Sequence, residues 1–313
     1  MKPEITVGGT TVGGAAALTA PEPAGTVGGT VGGTVGGTAA PLAVIRIEPS
    51  HGWVSLRLGE LWRARDLLYF LVWRDVKVRY KQTALGVAWA ILQPFLAMVV
   101  FTVFFGRLAK MPSAGVPYPI FAYTGLLPWQ FFSSALIESS NSLINNKSLI
   151  TKVYFPRLVV PAASVFAALV DFCVAFVVLL GMMVYYGVAP TPRLLVLPVL
   201  VAFAVLTALS VGLWLSALNV KYRDVRYIIP FLAQFWLYAT PIAYPSDLVP
   251  PAYRLLFGLN PMAGVVEGFR WAVLGTETSI GGVMAGSVAA VVVLFFGGLA
   301  YFRRMEKYFA DLV

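Results

Sequence analysis

Residues able to do chemistry are few in this chain of 313 residues, and most stand in apolar surroundings. Asp171 lies in the middle of "AALVDFCVAF". If that run crosses a membrane, a charge at its centre costs roughly 2.5–3.5 kcal/mol and needs a partner or water. Two roles fit: an ion or proton site, or a polar tie between helices with a serine, asparagine or arginine supplying the bond. A proton relay wants a second acid or a histidine, and the neighbouring sequence offers neither, which favours the tie. Glu138 falls at the inner end of another apolar run, near the headgroups. Glu267 and Arg270 stand at i,i+3 and can pair on a helix; as an exposed pair they are worth only about 0.2–0.5 kcal/mol. A single histidine (His51) and a single cysteine (Cys173) leave no Cys/His metal cluster and no internal disulfide. No metal site is expected.

The elements that must carry these residues are apolar and long. The chain is 59% hydrophobic and 12% charged, against about 25% charged in an ordinary soluble protein. This composition predicts an all-α membrane protein. Six candidate spans follow: Val87–Phe105, Ile120–Ile137, Leu158–Val188, Leu194–Leu218, Tyr227–Tyr244 and Gly282–Phe302. Residues 86–305 form the six-span domain on this reading, and 306–313 a short tail. The net charge of +9 belongs to topology in such a protein, so nucleic acid is not an expected partner.

Ahead of the spans, residues 51–85 read as a helix lying in the membrane interface. Leu68, Val72, Val76 and Tyr80 line one face with Tyr69 and Trp73 beside it, while Arg74, Lys77 and Lys81 fall opposite. Residues 1–50, with "TVGGTVGGTVGGT", are low-complexity and predicted to be disordered, since little in them can be buried to offset the ordering entropy of glycine. The segment is neither a phosphate loop, lacking Gly-Lys-Ser/Thr, nor a signal peptide.

Basic residues set the orientation. Arg46–Lys81, Lys147–Arg157, Lys221–Arg226 and Arg303–Lys307 carry seventeen Lys and Arg on one side. Arg107, Lys110, Arg193, Arg254 and Arg270 are the five on the other. The bias predicts both termini in the cytoplasm. On the outer side, Pro245–Gly281 contains two short helix-like stretches broken at "GLNP", the pattern of a re-entrant hairpin before the last span.

The stretches "ELWRARDLLYFLVWRDVKVRYKQTALGVAWAILQP", "YTGLLPWQFF", "LITKVYFPR", "NVKYRDVRYIIPF" and "NPMAGVVEGFRW" resemble the ABC-2 type permeases, over residues 53 to 305. The resemblance is greatest to the subunits that export lipid-linked polysaccharides such as O-antigen, with capsule and teichoic-acid exporters as cousins. It implies a non-enzymatic channel subunit in the bacterial inner membrane, a homodimer with two copies of a separate ATPase that binds ATP and Mg. No Walker motif occurs here, so no cofactor is expected in this chain. A secondary transporter is the less favoured alternative, since it needs paired membrane carboxylates or inverted repeats.

The resemblance also implies roles. Lys147, Leu149, Ile150, Lys152, Val153 and Arg157 would form a coupling helix for the ATPase, with Leu149, Ile150 and Val153 as its apolar face. Arg74, Lys77 and Lys81 would assist, beside membrane lipid. Asn260, Pro261, Glu267 and Arg270 would belong to an outer gate. Two aromatic clusters could line the sugar path: Tyr123, Trp129, Phe131 and Phe132, and Phe235, Trp236 and Tyr238. Ring faces suit sugar C–H surfaces, although an interfacial belt explains part of such clustering.

Overall fold

A computed structural model describes residues 63–81, 86–250, 253–276 and 280–309. The Gly/Thr-rich segment 1–50 lies outside the described residues. Helices are the dominant element among those described, joined by turns and short irregular segments, with no strand among them. In chain order the helices are α1 (Arg65–Lys81), α2 (Gly86–Phe101), α3 (Tyr118–Asn145), α4 (Lys147–Lys152), α5 (Val159–Tyr185), α6 (Leu197–Lys221), α7 (Val225–Ala239), α8 (Arg254–Gly258), α9 (Pro261–Leu274) and α10 (Ile280–Glu306). A π-helical stretch, Thr102–Leu108, prolongs α2, and a 3-10 turn, Pro192–Val196, leads into α6.

Five of the described helical segments are long and apolar enough to cross a membrane: Gly86–Leu108, Tyr118–Asn145, Val159–Tyr185, Pro192–Lys221 and Gly281–Glu306. The expected fifth span, Tyr227–Tyr244, is shorter than its sequence suggests. Helix α7 stops at Ala239 after 15 residues, about 22 Å at 1.5 Å per residue, against a hydrocarbon core of about 30 Å. Thr240 is extended and Pro241 follows, so the apolar run continues without a helix.

α3 is the hub of the bundle. Of its most apolar stretch 78% is buried, against 11% for α2. It packs on α5, α6, α9, α2 and α7. Several of its hydroxyls bond within the helix, Thr124 donating to the Ile120 carbonyl at 2.7 Å and Ser140 to that of Leu136 at 2.6 Å. The α3–α6 seam is close because Gly212 has no side chain: a Cβ there would lie 3.2 Å from the Cβ of Ser139. Asn219 completes the seam by donating to the Ser140 carbonyl at 2.9 Å.

A second apolar cluster gathers one end of the bundle. Leu71, Leu143, Ile150, Leu158, Val220, Phe302 and Phe309 belong to it. α1, the end of α3, the start of α5 and the ends of α6 and α10 therefore meet there. The basic segments Lys147–Arg157, Lys221–Arg226 and Arg303–Lys307 flank those same helix ends, and "basic end" denotes this part of the molecule below.

Candidate functional site

Three regions of the bundle carry the polar chemistry, and the first lies where α1 meets α3 and α5. Arg79, near the end of α1, reaches between two spans: its Nη1 donates to Asp171 on α5 and its Nη2 to Glu138 on α3. The adjacent Tyr80 hydroxyl donates to the other oxygen of Asp171. Arginine thus supplies the bond that Asp171 requires. Asp171 is not isolated, as its sequence neighbours suggest, because Glu138 shares its cation. Burial alone would lower the Arg79 guanidinium, but the two carboxylates outweigh it and hold it above the ordinary arginine value. Burial, then the bond to Asp171, pushes the Tyr80 phenol well up. Both groups stay protonated as donors at any physiological pH.

Against this node lies a cavity of about 490 Å³ between α1, α2, α3 and α5. Arg79, Tyr80 and Asp171 form one part of its wall; Trp89, Gln93, Gln130, Phe131, Ser134 and Phe172 line much of the rest. The sequence reading missed Arg79, Gln93 and Gln130. Their only signal was polarity inside or beside apolar runs, and the basic stretch around Arg79 suggested a solvated anchor instead.

The second region is the basic end. α4 is a single short helix, Lys147–Lys152. Its expected apolar face is divided. Ile150 is buried in the chain's own cluster and Leu149 packs against it, so these two residues do not face outward for a partner. The exposed apolar groups are Val153 and, with 97% of its surface free, Tyr154. Lys147 and Lys152 are exposed. Arg157 turns inward, its backbone N–H donating to Glu306 Oε1 at 3.2 Å and its guanidinium to the Glu306 carbonyl. On α1, Lys77 and Lys81 are exposed. Arg74 is half-buried and donates to Asp75 at 2.7 Å and to Asn146 at 2.8 Å, tying α1 to the end of α3. Leu71, absent from the expected apolar stripe, is the buried residue of α1, while Tyr69, Phe70 and Trp73 are exposed.

The third region is at the opposite end, where α8 and α9 form the expected helix–break–helix. Asn260 caps α9 by accepting from the Met262 N–H at 3.1 Å, with Pro261 at the first helical position. Gly275 ends α9 at φ 68°, a left-handed conformation that glycine adopts without a Cβ penalty. The Asn260 amide also donates to the Ala239 carbonyl and to Thr240 Oγ1, each at 3.1 Å, and its oxygen accepts from the Trp236 indole at 2.8 Å.

Glu267 and Arg270 do pair, at 3.3 Å, but they are 2% and 1% exposed. This is a correction to the exposed pair expected above. The Arg270 guanidinium donates to the carbonyls of Pro241 (2.5 Å), Ile242 (2.7 Å) and Tyr244 (3.2 Å). It also stacks 3.7 Å from the ring centre of Phe121. Gly125 makes the space: a Cβ there would lie 2.9 Å from Arg270 Nη2. Glu267 accepts from the Ser246 N–H at 3.2 Å. The pair therefore clamps the non-helical strand of chain that follows α7, satisfying backbone groups that apolar surroundings would leave bare.

The aromatic residues separate. Tyr123, Trp129 and Phe132 are buried in the core, with the Tyr123 hydroxyl on the Ala175 carbonyl at 3.0 Å. Phe132 packs edge-on against Trp236 at 5.2 Å. Phe131 lines the cavity, and Phe235 and Tyr238 stand exposed on α7.

Comparison with known proteins agrees in one direction. A profile of the ABC-2 type transporter family matches residues 66–274. An O-antigen export system permease protein RfbA from Myxococcus xanthus is 30% identical over 257 residues, covering 81% of this chain and 98% of that protein. A Klebsiella pneumoniae protein of the same name is 28% identical over 83% of this chain and 98% of its own length. The polysialic acid transport protein KpsM of Escherichia coli is 27% identical over 75% of this chain and 91% of its own.

Proposed function

The chain belongs to the ABC-2 type transporter family, and on that premise we propose that it is the permease subunit of an ATP-driven exporter of lipid-linked polysaccharide. O-antigen is the favoured cargo. The observation that carries the reading is similarity along 98% of the length of relatives named as O-antigen export permeases. The similarity to a polysialic acid transporter supports a capsule polymer as the second reading. No substrate bond is made or broken by this subunit; a separate ATPase, binding ATP and Mg, supplies the energy.

In this reading two copies of the chain form the channel at their interface, in the bacterial inner membrane, with two ATPase subunits below. The exposed faces of α2 and α7, including Phe235 and Tyr238, meet across that interface and offer rings to the sugar; Phe131 offers another from the cavity. α7 and the clamped segment Thr240–Tyr244 make the sixth crossing, and α8–α9 form a re-entrant outer gate. α1 lies in the membrane interface on Tyr69, Phe70 and Trp73. The ATPase docks on Lys77, Lys81, Lys147 and Lys152 with Val153, the exposed remainder of the apolar face expected above, and Tyr154 beside it. Closure of the ATPase then favours one arrangement of the spans over another.

The test is an in vivo export assay combined with affinity purification. An ATPase should co-purify, and disabling its nucleotide site should stop export and leave lipid-linked polymer inside the cell. Accumulation of nothing, with export of surface glycan unchanged when this chain is deleted, would sink the reading. The sugar composition of the accumulated polymer separates O-antigen from capsule.

A further inference from the structure

We infer that Arg79 is the positioning residue through which motion of α1 reaches the spans, so that α1, α3 and α5 move as one body during transport. The inference rests on the exporter reading above. Its ground is the node that this one guanidinium makes between three helices, with carboxylates from two spans, Glu138 and Asp171, as its acceptors.

Three observations carry it. First, α1 packs along α5, with Leu71 buried and Leu67, Leu68 and Val72 against the same cluster, and Arg79 adds to that packing a tie by charge to α3 as well as to α5. Second, Tyr80 adds its hydroxyl to Asp171, which fixes the end of α1 in azimuth as well as position, since consecutive side chains must both point at α5. Third, the node forms wall of the cavity, so a shift of α1 either carries α3 and α5 with it or breaks a partly buried ion triad. Breaking one partner of such a triad leaves an uncompensated charge, which is far costlier than replacing the whole set by neutral groups. α1 is also where the proposed docking lysines, Lys77 and Lys81, are exposed. A displacement imposed on them passes to α5 through the last turn of the same helix. The charge count supports a tie over a binding site for anions: one cation faces two carboxylates, so a phosphate group finds no positive field here.

The experiment uses the intact complex with its ATPase, purified and in cells, with export measured per exporter at matched membrane levels and ATP hydrolysis measured on the same preparations. Arg79→Gln should lower export at least tenfold while hydrolysis and subunit association stay within about twofold. Exchanging charge, Arg79→Glu with Glu138→Arg, should restore part of the export by returning a cation beside Asp171. If Arg79→Gln does not accumulate, the neutral triple variant Arg79→Gln, Glu138→Gln, Asp171→Asn removes the uncompensated charge and should accumulate yet remain uncoupled. Normal export by either neutralised variant overturns the inference. So does a parallel fall in hydrolysis, association and export, which would mark Arg79 as a fold residue only. A wild-type complex without ATP-dependent export would instead count against the exporter reading, whatever the variants do.

Discussion

Arg270 shows what a single buried charge can organise. Its guanidinium holds three backbone carbonyls and a carboxylate at 1% exposure, so it stands in for the helix that α7 fails to complete. Arg270→Met should destabilise the purified protein by about 3–5 kcal/mol, because Glu267 and the carbonyls remain buried without their donor. Thermal unfolding in detergent measures this. Gly125→Ala should act in the same direction by pressing on Arg270. By contrast Arg254, 3.9 Å from Asp247 on the surface, should tolerate Arg254→Gln within about 0.5 kcal/mol. The sequence displays the i,i+3 spacing of Glu267 and Arg270 but not the carbonyls that arrive from Pro241, Ile242 and Tyr244, and so their burial was illegible. Asp171 was legible as a residue needing a partner. That Arg79 provides it, 92 positions away, depends on how α1 folds back on α5.

At the scale of elements, periodicity and capping served well where helices are long, and less well where short ones trade faces. The break at "GLNP" and the start of α9 follow from Asn260 and Pro261, local signals that any context preserves. The five long apolar helices are plain in hydropathy for the same reason. α4 differs, since six residues make under two turns and the face it buries is decided by neighbours. Leu149 and Ile150 go to the cluster with Leu71 and Phe302, leaving Val153 and Tyr154 outside. Two variants separate the roles. Ile150→Asn should reduce membrane accumulation severalfold by placing an amide in an apolar cluster. Val153→Ser with Tyr154→Ser should accumulate normally but weaken ATPase co-purification and export. Equal ATPase recovery from the double variant and the wild type would remove these residues from the docking surface.

The whole molecule turns on whether α7 crosses the membrane. Its 15 residues are short for the task, and the six-crossing reading proposed above rests on where its two ends lie. α7 begins just after Lys221 at the basic end, and its far end is held by Asn260 and the Arg270 clamp. α10 then returns, bringing Phe302 and Phe309 to the cluster with Leu71 and Ile150. If α7 merely dipped in and came back, α10 would have to start from the basic end, and Phe302 would lie at the opposite one. Six crossings therefore predict that Leu248, exposed between α7 and α8, shares a side with Met111 and Ala189. Single cysteines at these three positions, in a Cys173→Ala background, should all react with a membrane-impermeant thiol reagent added outside intact cells. Cysteines at Lys147 and Arg223 should react only after permeabilisation, and a C-terminal reporter should read cytoplasmic. Protection of Leu248→Cys alongside Lys147→Cys, with Ala189→Cys still labelled, would reduce the crossings before α10 to four and make α7 a re-entrant element.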